Sequence, residues 1–233
     1  MTTADSPHRA DGWTAAVRQR LGLGRLLPLG GPADGVWISE RAAVSVLRRW
    51  VCVSGPGPVL GEMRIVPADP DAAPHAALPP PPSALPPGPL RIEAAMSATA
   101  DQPLPAAAAV LRSALLEAAA ARLGLVVTEV DLRVTELLDT VPDRPAPEAS
   151  GVRGAEPEGT AGVAAAGVPG VAALTRVLGN AVHTDADHVR VELATDGSHQ
   201  ALDVALAVRV VVAAALAGHP PVTVLVTAVV DAE

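Results

Sequence analysis

Two tetrapeptides decide the fold: Leu90-Arg91-Ile92-Glu93 and Val189-Arg190-Val191-Glu192. Each alternates apolar and charged residues, the period of a strand with one buried face. A turn follows each, Ala100-Asp101-Gln102-Pro103 in the first and Asp196-Gly197-Ser198 in the second. A helical stretch comes next. The first runs from about Leu104 to Leu123, with Leu104, Ala108, Leu111, Leu115 and Ala119 on one face and Arg112, Glu117 and Arg122 off it. The second runs from about His199 to Ala217 and carries only Asp203 and Arg209 as charges. Leu111-Arg112 coincides with Val208-Arg209, and Gly124 and Gly218 stand where a helix-ending glycine belongs. Val130-Asp131-Leu132-Arg133-Val134-Thr135 closes the first copy as a strand, and Val222-Thr223-Val224-Leu225-Val226-Thr227 closes the second.

Ser39 suits the N-cap of a helix from Glu40 to Val51, because its hydroxyl can accept an amide of the first turn. Val59 to Val66 is then a strand. In the second half, Gly162 to Val171 is a Gly-broken helix, and Ala173 to His183 is a strand turning through Thr184 to Asp187. The expected fold class is therefore α+β: two repeated α-β-β-α-β units, each a small mixed sheet with helices on one face. Each β-α-β crossover predicts a parallel strand pair, and the hairpin before it predicts an antiparallel edge. So small a sheet leaves apolar surface uncovered, so the two units are expected to pack on each other.

Two stretches break the pattern. Residues 67–89 hold ten prolines in 23 positions. Proline lacks a donor amide and fixes φ, so this insertion is expected as an extended loop or spacer. Residues 139–161 are rich in Pro, Gly, Glu and Ala without period, as a linker is. The expected division is a flexible or amphipathic segment 1–35, a first unit 36–138 containing the insertion, the linker 139–161 and a second unit 162–233.

Composition excludes more than it proposes. The chain of 233 residues has no Lys, Tyr or Phe, one Cys and three Trp. Without Lys there is no Schiff-base lysine, and one Cys permits neither an internal disulfide nor a multi-cysteine zinc site. Residues 1–66 carry eight Arg against five acids, a net of +3, while the rest carries nine Arg against twenty acids, or −11. That balance and the shortage of aromatic rings argue against nucleic acid. The Ala-, Gly-, Pro- and Arg-rich composition reads as coding bias of a GC-rich bacterium. Residues 1–11 are polar and lack the apolar core of a secretory signal. The strongest apolar run, Val210 to Gly218, is too short to span a bilayer. A cytoplasmic chain is expected.

Few residues invite chemistry. Cys52 lies near Arg48 and Arg49, but between Val51 and Val53 it is expected to pack. Ser198-His199 has no nucleophile elbow around it, and Gly22-Leu23-Gly24-Arg25 lacks the third glycine of a dinucleotide loop. His183-Thr184-Asp185-Ala186-Asp187-His188 is the densest ligand cluster. His183, Asp185, Asp187 and His188 suit a divalent metal in type, whereas Asp and Thr at this spacing equally make a polar hairpin turn. Within Asp11 to Leu29, Trp13, Val17 and Leu21 fall at i, i+4 and i+8 beside Arg18 and Arg20, with Leu23, Leu26, Leu27 and Leu29 following. This is an amphipathic pattern for docking on a partner, a membrane or the protein's own domain. Trp13, Val17, Leu21 and Leu26 are the candidate partner-binding residues.

Several segments resemble one family. Ile38-Ser39-Glu40-Arg41-Ala42-Ala43 looks like the opening of the alkaline shock protein family of the envelope stress response. Gly167-Val168-Pro169-Gly170-Val171 is similar to that family's V-P-G-V turn, and Pro103-Leu104-Pro105-Ala106-Ala107 to the start of its long helix. Val126 to Val134 resembles its closing strand. The resemblance covers Val36 to Leu138 and, less completely, Gly162 to Val230, as a degenerate tandem member. The chain departs from the pattern at Val53-Ser54-Gly55-Pro56, where the family turn belongs, in its proline insertion, and in the second copy's missing I-S lead-in.

The resemblance implies a non-enzymatic scaffold in cell-envelope homeostasis, with no catalytic residues and no cofactor. It implies a cytoplasmic protein that reaches the membrane only through partners. The expected partners are other chains, either alkaline-shock-like paralogues or a small membrane-anchor protein, with a homo-oligomer also expected and no nucleic acid. Two other readings stand beside it. One is a divalent-metal enzyme or sensor at the His183–His188 turn. The other is a peripheral membrane protein binding through residues 11–29.

Overall fold

The computed structural model describes residues 22–53, 57–71, 74–140, 152–185 and 187–230. The chain is α+β. In order it runs β1 (Leu26–Leu29), β2 (Val36–Ser39), α1 (Glu40–Val53), β3 (Val59–Pro67), β4 (Leu90–Thr99) and α2 (Leu104–Ala118). A π-helical last turn, Ala119–Leu123, extends α2, and β5 (Val127–Leu138), α3 (Gly159–Ala166), β6 (Val171–Leu174) and β7 (Val182–Thr184) follow. The chain then continues through β8 (Val189–Asp196), α4 (Ala201–Ala215) and β9 (Val222–Val230).

Two sheets form. The smaller has the order β3-β4-β5, antiparallel between β3 and β4 and parallel between β4 and β5. The larger has the order β1-β2-β9-β8-β6, with β7 also on β8. In it β8 and β9 are parallel, while β6 and β7 both run antiparallel to β8. Both β-α-β crossovers thus give the parallel pairs that the patterns around Arg91 and Arg190 predict. One apolar core joins the sheets. Leu47 of α1, Ile65, Ile92, Leu111 and Leu115 belong to the same buried cluster as Val191, Val208 and Val224.

The helices end and begin for local reasons. Ser39 is the N-cap of α1: its Oγ accepts from Ala42 N at 3.1 Å and donates to Thr227 O at 2.9 Å. The second bond ties the start of α1 to β9. At the other end of α2, Gly124 adopts φ +79° and closes the π-helical turn. A Cβ there would lie 2.6 Å from Leu202 Cβ of α4, so close packing also demands glycine. Gly218 stands further from its helix than expected, since α4 ends at Ala215 with Leu216 as its C-cap.

The expected division into two separate units does not hold in the sheets. Strand β2, from the first half, pairs in parallel with β9 through Val36↔Val224, Trp37↔Leu225 and Ile38↔Val226. Strand β1 then pairs antiparallel with β2. Residues 26–29, assigned above to a flexible segment, are therefore core: all four are buried. The linker is shorter than 139–161 as well. Ala155 N already donates to Leu174 O at 2.8 Å, and α3 starts at Gly159, before the expected Gly162.

The proline-rich insertion is no spacer. It lies over the face of the larger sheet that the helices leave open. Leu85 N donates to Leu26 O at 2.8 Å, and Ala77 N donates to Pro32 O at 3.0 Å. Trp37 Nε1 donates to Leu85 O at 3.3 Å. Ala76 and Ala84 pack on a second apolar cluster of Leu23, Leu26, Trp37 and Leu225. Proline cannot donate to a ladder, but its ring and fixed φ still suit an extended strap.

Candidate functional site

Of the four candidate partner-binding residues, Trp13, Val17 and Leu21 lie outside the described residues. Leu26 is placed differently from expectation. It is buried in β1 beneath the proline-rich strap, so its side chain belongs to the protein's own core. Leu23, Leu27 and Leu29 are buried too, so the described end of the 11–29 segment docks on its own domain. Cys52 is half-buried near the end of α1.

The His183–Asp187–His188 region is the turn between β7 and β8, closed by Asp185 N donating to His188 O at 2.9 Å. The Asp185 carboxylate sits between the imidazoles, 3.2 Å from His183 Nε2 and 3.4 Å from His188 Nε2. Asp187 lies 3.4 Å from His188 Nδ1 and points into solvent. Asp185 thus bridges the two imidazoles, with Asp187 outside the bridge. Among the described residues no group of three or more His, Cys, Asp or Glu side chains is arranged to hold a metal ion. The polar-turn reading fits this geometry better than the metal reading.

A groove of about 890 Å³ opens beside α1 and the end of β9. Its walls include Arg41, Ser45, Arg153, Glu156 and Arg176, and Thr227 and Thr175 line it as well. Two pairs of its polar groups serve one another. Thr175 Oγ1 and Thr227 Oγ1 are 2.8 Å apart, Thr227 Oγ1 donates to Leu193 O at 3.1 Å, and Arg176 pairs with Glu158 at 2.8 Å. Neither a histidine nor a cysteine lines it.

The Arg–Glu pairs that open the two sequence copies take contrasting environments. On β8, Glu192 is fully buried and lies 3.5 Å from Arg190. Its Oε2 accepts from Val177 N at 2.8 Å and Leu178 N at 2.9 Å. Burial pushes the Glu192 carboxyl up, beyond what those two amides and Arg190 offset. This carboxylate also explains a departure from the predicted strand Ala173–His183. The strand breaks into β6 and β7 opposite Glu192, where the 175–181 loop turns its amides back onto the carboxylate. The break does not strand the Glu192 backbone, because Thr175 N donates to Glu192 O and Glu192 N donates to Ala181 O. On β4, Arg91 and Glu93 make the same pair at 3.4 Å in solvent. Arg91 also reaches Glu129 and Asp131 of β5, at 3.6 Å each.

Two apolar surfaces are exposed among the described residues. One is the outer side of α4, where Ala207, Val210, Val211 and Ala214 are all exposed, Val210 to 70% and Val211 to 41%. They fall at i, i+3, i+4 and i+7, one uncharged stripe. The other is β5, the terminal strand of its sheet. Its counterpart β9 carries β2 on that side, and Arg209 seals the junction by donating to Val222 O at 2.9 Å and to Asp34 O. Arg112 of α2 likewise donates to Val130 O of β5 at 3.1 Å, but no further strand lies there among the described residues. Exposed Val134 and Leu137 lie on β5, and exposed Val126 just precedes it. Periodicity marked α4 as apolar all round, but the open edge is legible only from the pairing of distant strands. Among the described residues one helix, Leu104–Leu123, is long and apolar enough to cross a membrane by length and composition. Its Leu111, Leu115 and Leu123 lie in the core.

No known family's sequence profile, no curated protein and no solved structure matches this chain.

Proposed function

We propose that this chain is a non-catalytic assembly component, similar to the alkaline shock proteins and acting in the cytoplasm in cell-envelope homeostasis. Its work is to hold other protein chains, and it reaches the membrane only through them. The observation that carries this reading is that β5 is the terminal strand of its sheet among the described residues, together with an uncharged, exposed stripe on α4. An open edge offers backbone amides and carbonyls to another chain. An apolar stripe gains by leaving water.

The test uses the purified full-length chain, and a form lacking residues 1–21, mixed with alkaline-shock-like paralogues or a small membrane-anchor protein encoded beside it. Residues 22–35 stay in both forms because β1 belongs to the core. A complex of defined stoichiometry by sedimentation supports the reading. A chain that stays alone with every such partner overturns it.

A further inference from the structure

We infer that β5 pairs antiparallel with β5 of a second copy about a two-fold axis at Leu132, joining the two small sheets into one continuous sheet. This rests on the assembly reading above and names one partner for it. The two-fold geometry is the commonest way for identical chains to associate, because one patch then serves both sides.

The sequence of β5 selects the register. With Leu132 opposite itself, Asp131 faces the second copy's Arg133, and Arg133 faces its Asp131. Val130 faces Val134, so exposed Val134 gains an apolar neighbour. These pairs fall within residues 129–134, the stretch of β5 that pairs with β4 without a bulge. No like charges lie opposite there.

Faces agree as well. Val130, Leu132 and Val134 register with Ile92, Ala94 and Met96 on the core side of β4. Asp131 and Arg133 register with Glu93 and Ala95 on the solvent side. Residues directly opposite in an antiparallel pair share a face, so apolar meets apolar and charge meets charge.

Neighbouring registers fail. Centring on Asp131 sets that carboxylate against itself, and centring on Arg133 sets two guanidinium groups together. A one-residue slip puts Leu132 opposite a charged residue and turns the faces against each other.

Arg91 alone serves Glu93, Glu129 and Asp131. Arg133 makes no ion pair among the described residues. A second copy brings its Arg133 directly to Asp131.

The test is sedimentation equilibrium of the full chain, up to millimolar concentration. A dimer is expected. Arg133→Asp, which sets two carboxylates against each other on each side of the axis, is expected to raise the dissociation constant by about tenfold or more. Its circular dichroism should stay unchanged, because Arg133 is exposed, and its thermal midpoint should match wild type at concentrations where both are monomeric. The double variant Asp131→Arg with Arg133→Asp recreates the complementary pairs and should recover the dimer. A wild-type monomer at all concentrations, or a dimer indifferent to both variants, overturns the proposal. If that monomer still binds a paralogue, the assembly reading survives; if it binds none, both fall.

Discussion

Glu192 sits 3.5 Å from Arg190 with no exposure to solvent, held from above by the amides of Val177 and Leu178. The corresponding Arg91 and Glu93 stand 3.4 Å apart on the open face of the other sheet. One dipeptide pattern thus serves as a buried anchor in one place and as solvated surface in the other. The difference comes from what covers the strand. The 175–181 loop closes over β8, and nothing among the described residues closes over β4's outer face.

The two environments predict unequal costs. Glu192→Ala leaves Arg190 uncompensated and two loop amides without their acceptor, and should cost about 3–5 kcal/mol. Glu93→Ala removes a solvent-screened partner and should cost about 1 kcal/mol or less. Urea denaturation of the two variants measures both.

Acid should separate Glu40 from Glu192. Burial alone would raise the Glu40 carboxyl, but hydrogen bonds from the Arg25 side chain, Ile65 N and Arg25 N hold it below the usual value. A lowered folded value means stability that is present above the unfolded value and lost as pH falls through the folded one. Glu40→Gln should therefore cost about 1–3 kcal/mol at neutral pH, and its gap from wild type should close on acidification. Glu192 is raised, so the sign reverses. Its contribution is full below the unfolded value and is lost as pH rises through the folded one. Urea midpoints between neutral pH and about pH 3 check both signs, and a Glu40→Gln gap that widens in acid would contradict the first.

Gly124→Ala should destabilise by about 1–3 kcal/mol, since φ +79° strains any L side chain and the new methyl would strike Leu202. Thermal denaturation measures it. Gly57→Ala is the control, with nothing within 4 Å of its added methyl.

The proline-rich strap should act as part of the core. Replacing residues 74–87 by a short glycine–serine linker uncovers Trp37 and removes the acceptor of its indole N–H. A loss of several kcal/mol is expected, comparable with truncating a buried tryptophan. Red-shifted tryptophan emission would report the exposure, and unchanged emission and stability would contradict the strap's role.

Much of this architecture is legible in the chain. Residues three and four apart marked the buried face of α2, and alternation marked β4 and β8. Ser39 announced its helix by the chemistry of its hydroxyl, and Gly124 announced an ending. These are local signals, carried by neighbours in sequence. The pairing of Val36 with Val224 is not local, and the four-residue strands β1 and β2 carry too little pattern to predict it. The strap was hidden for another reason. Proline density correctly forbids a ladder, yet says nothing about packing, and Leu85 and Ala84 are what hold it to Leu26 and Trp37. The break between β6 and β7 depends on a buried carboxylate, and burial of Glu192 is a property of the tertiary fold. The open edge of β5 is seen only by contrast with β9, whose edge β2 covers.

The central claim is that β5 is the edge through which this chain assembles. Hydrogen exchange of its backbone amides, measured at high and at low protein concentration, tests it most directly. The account predicts that amides of 127–138 gain protection at high concentration, while those of β9, paired on both sides, stay protected throughout. Exchange of β5 that is the same at both concentrations, with its edge amides open to solvent, would contradict it.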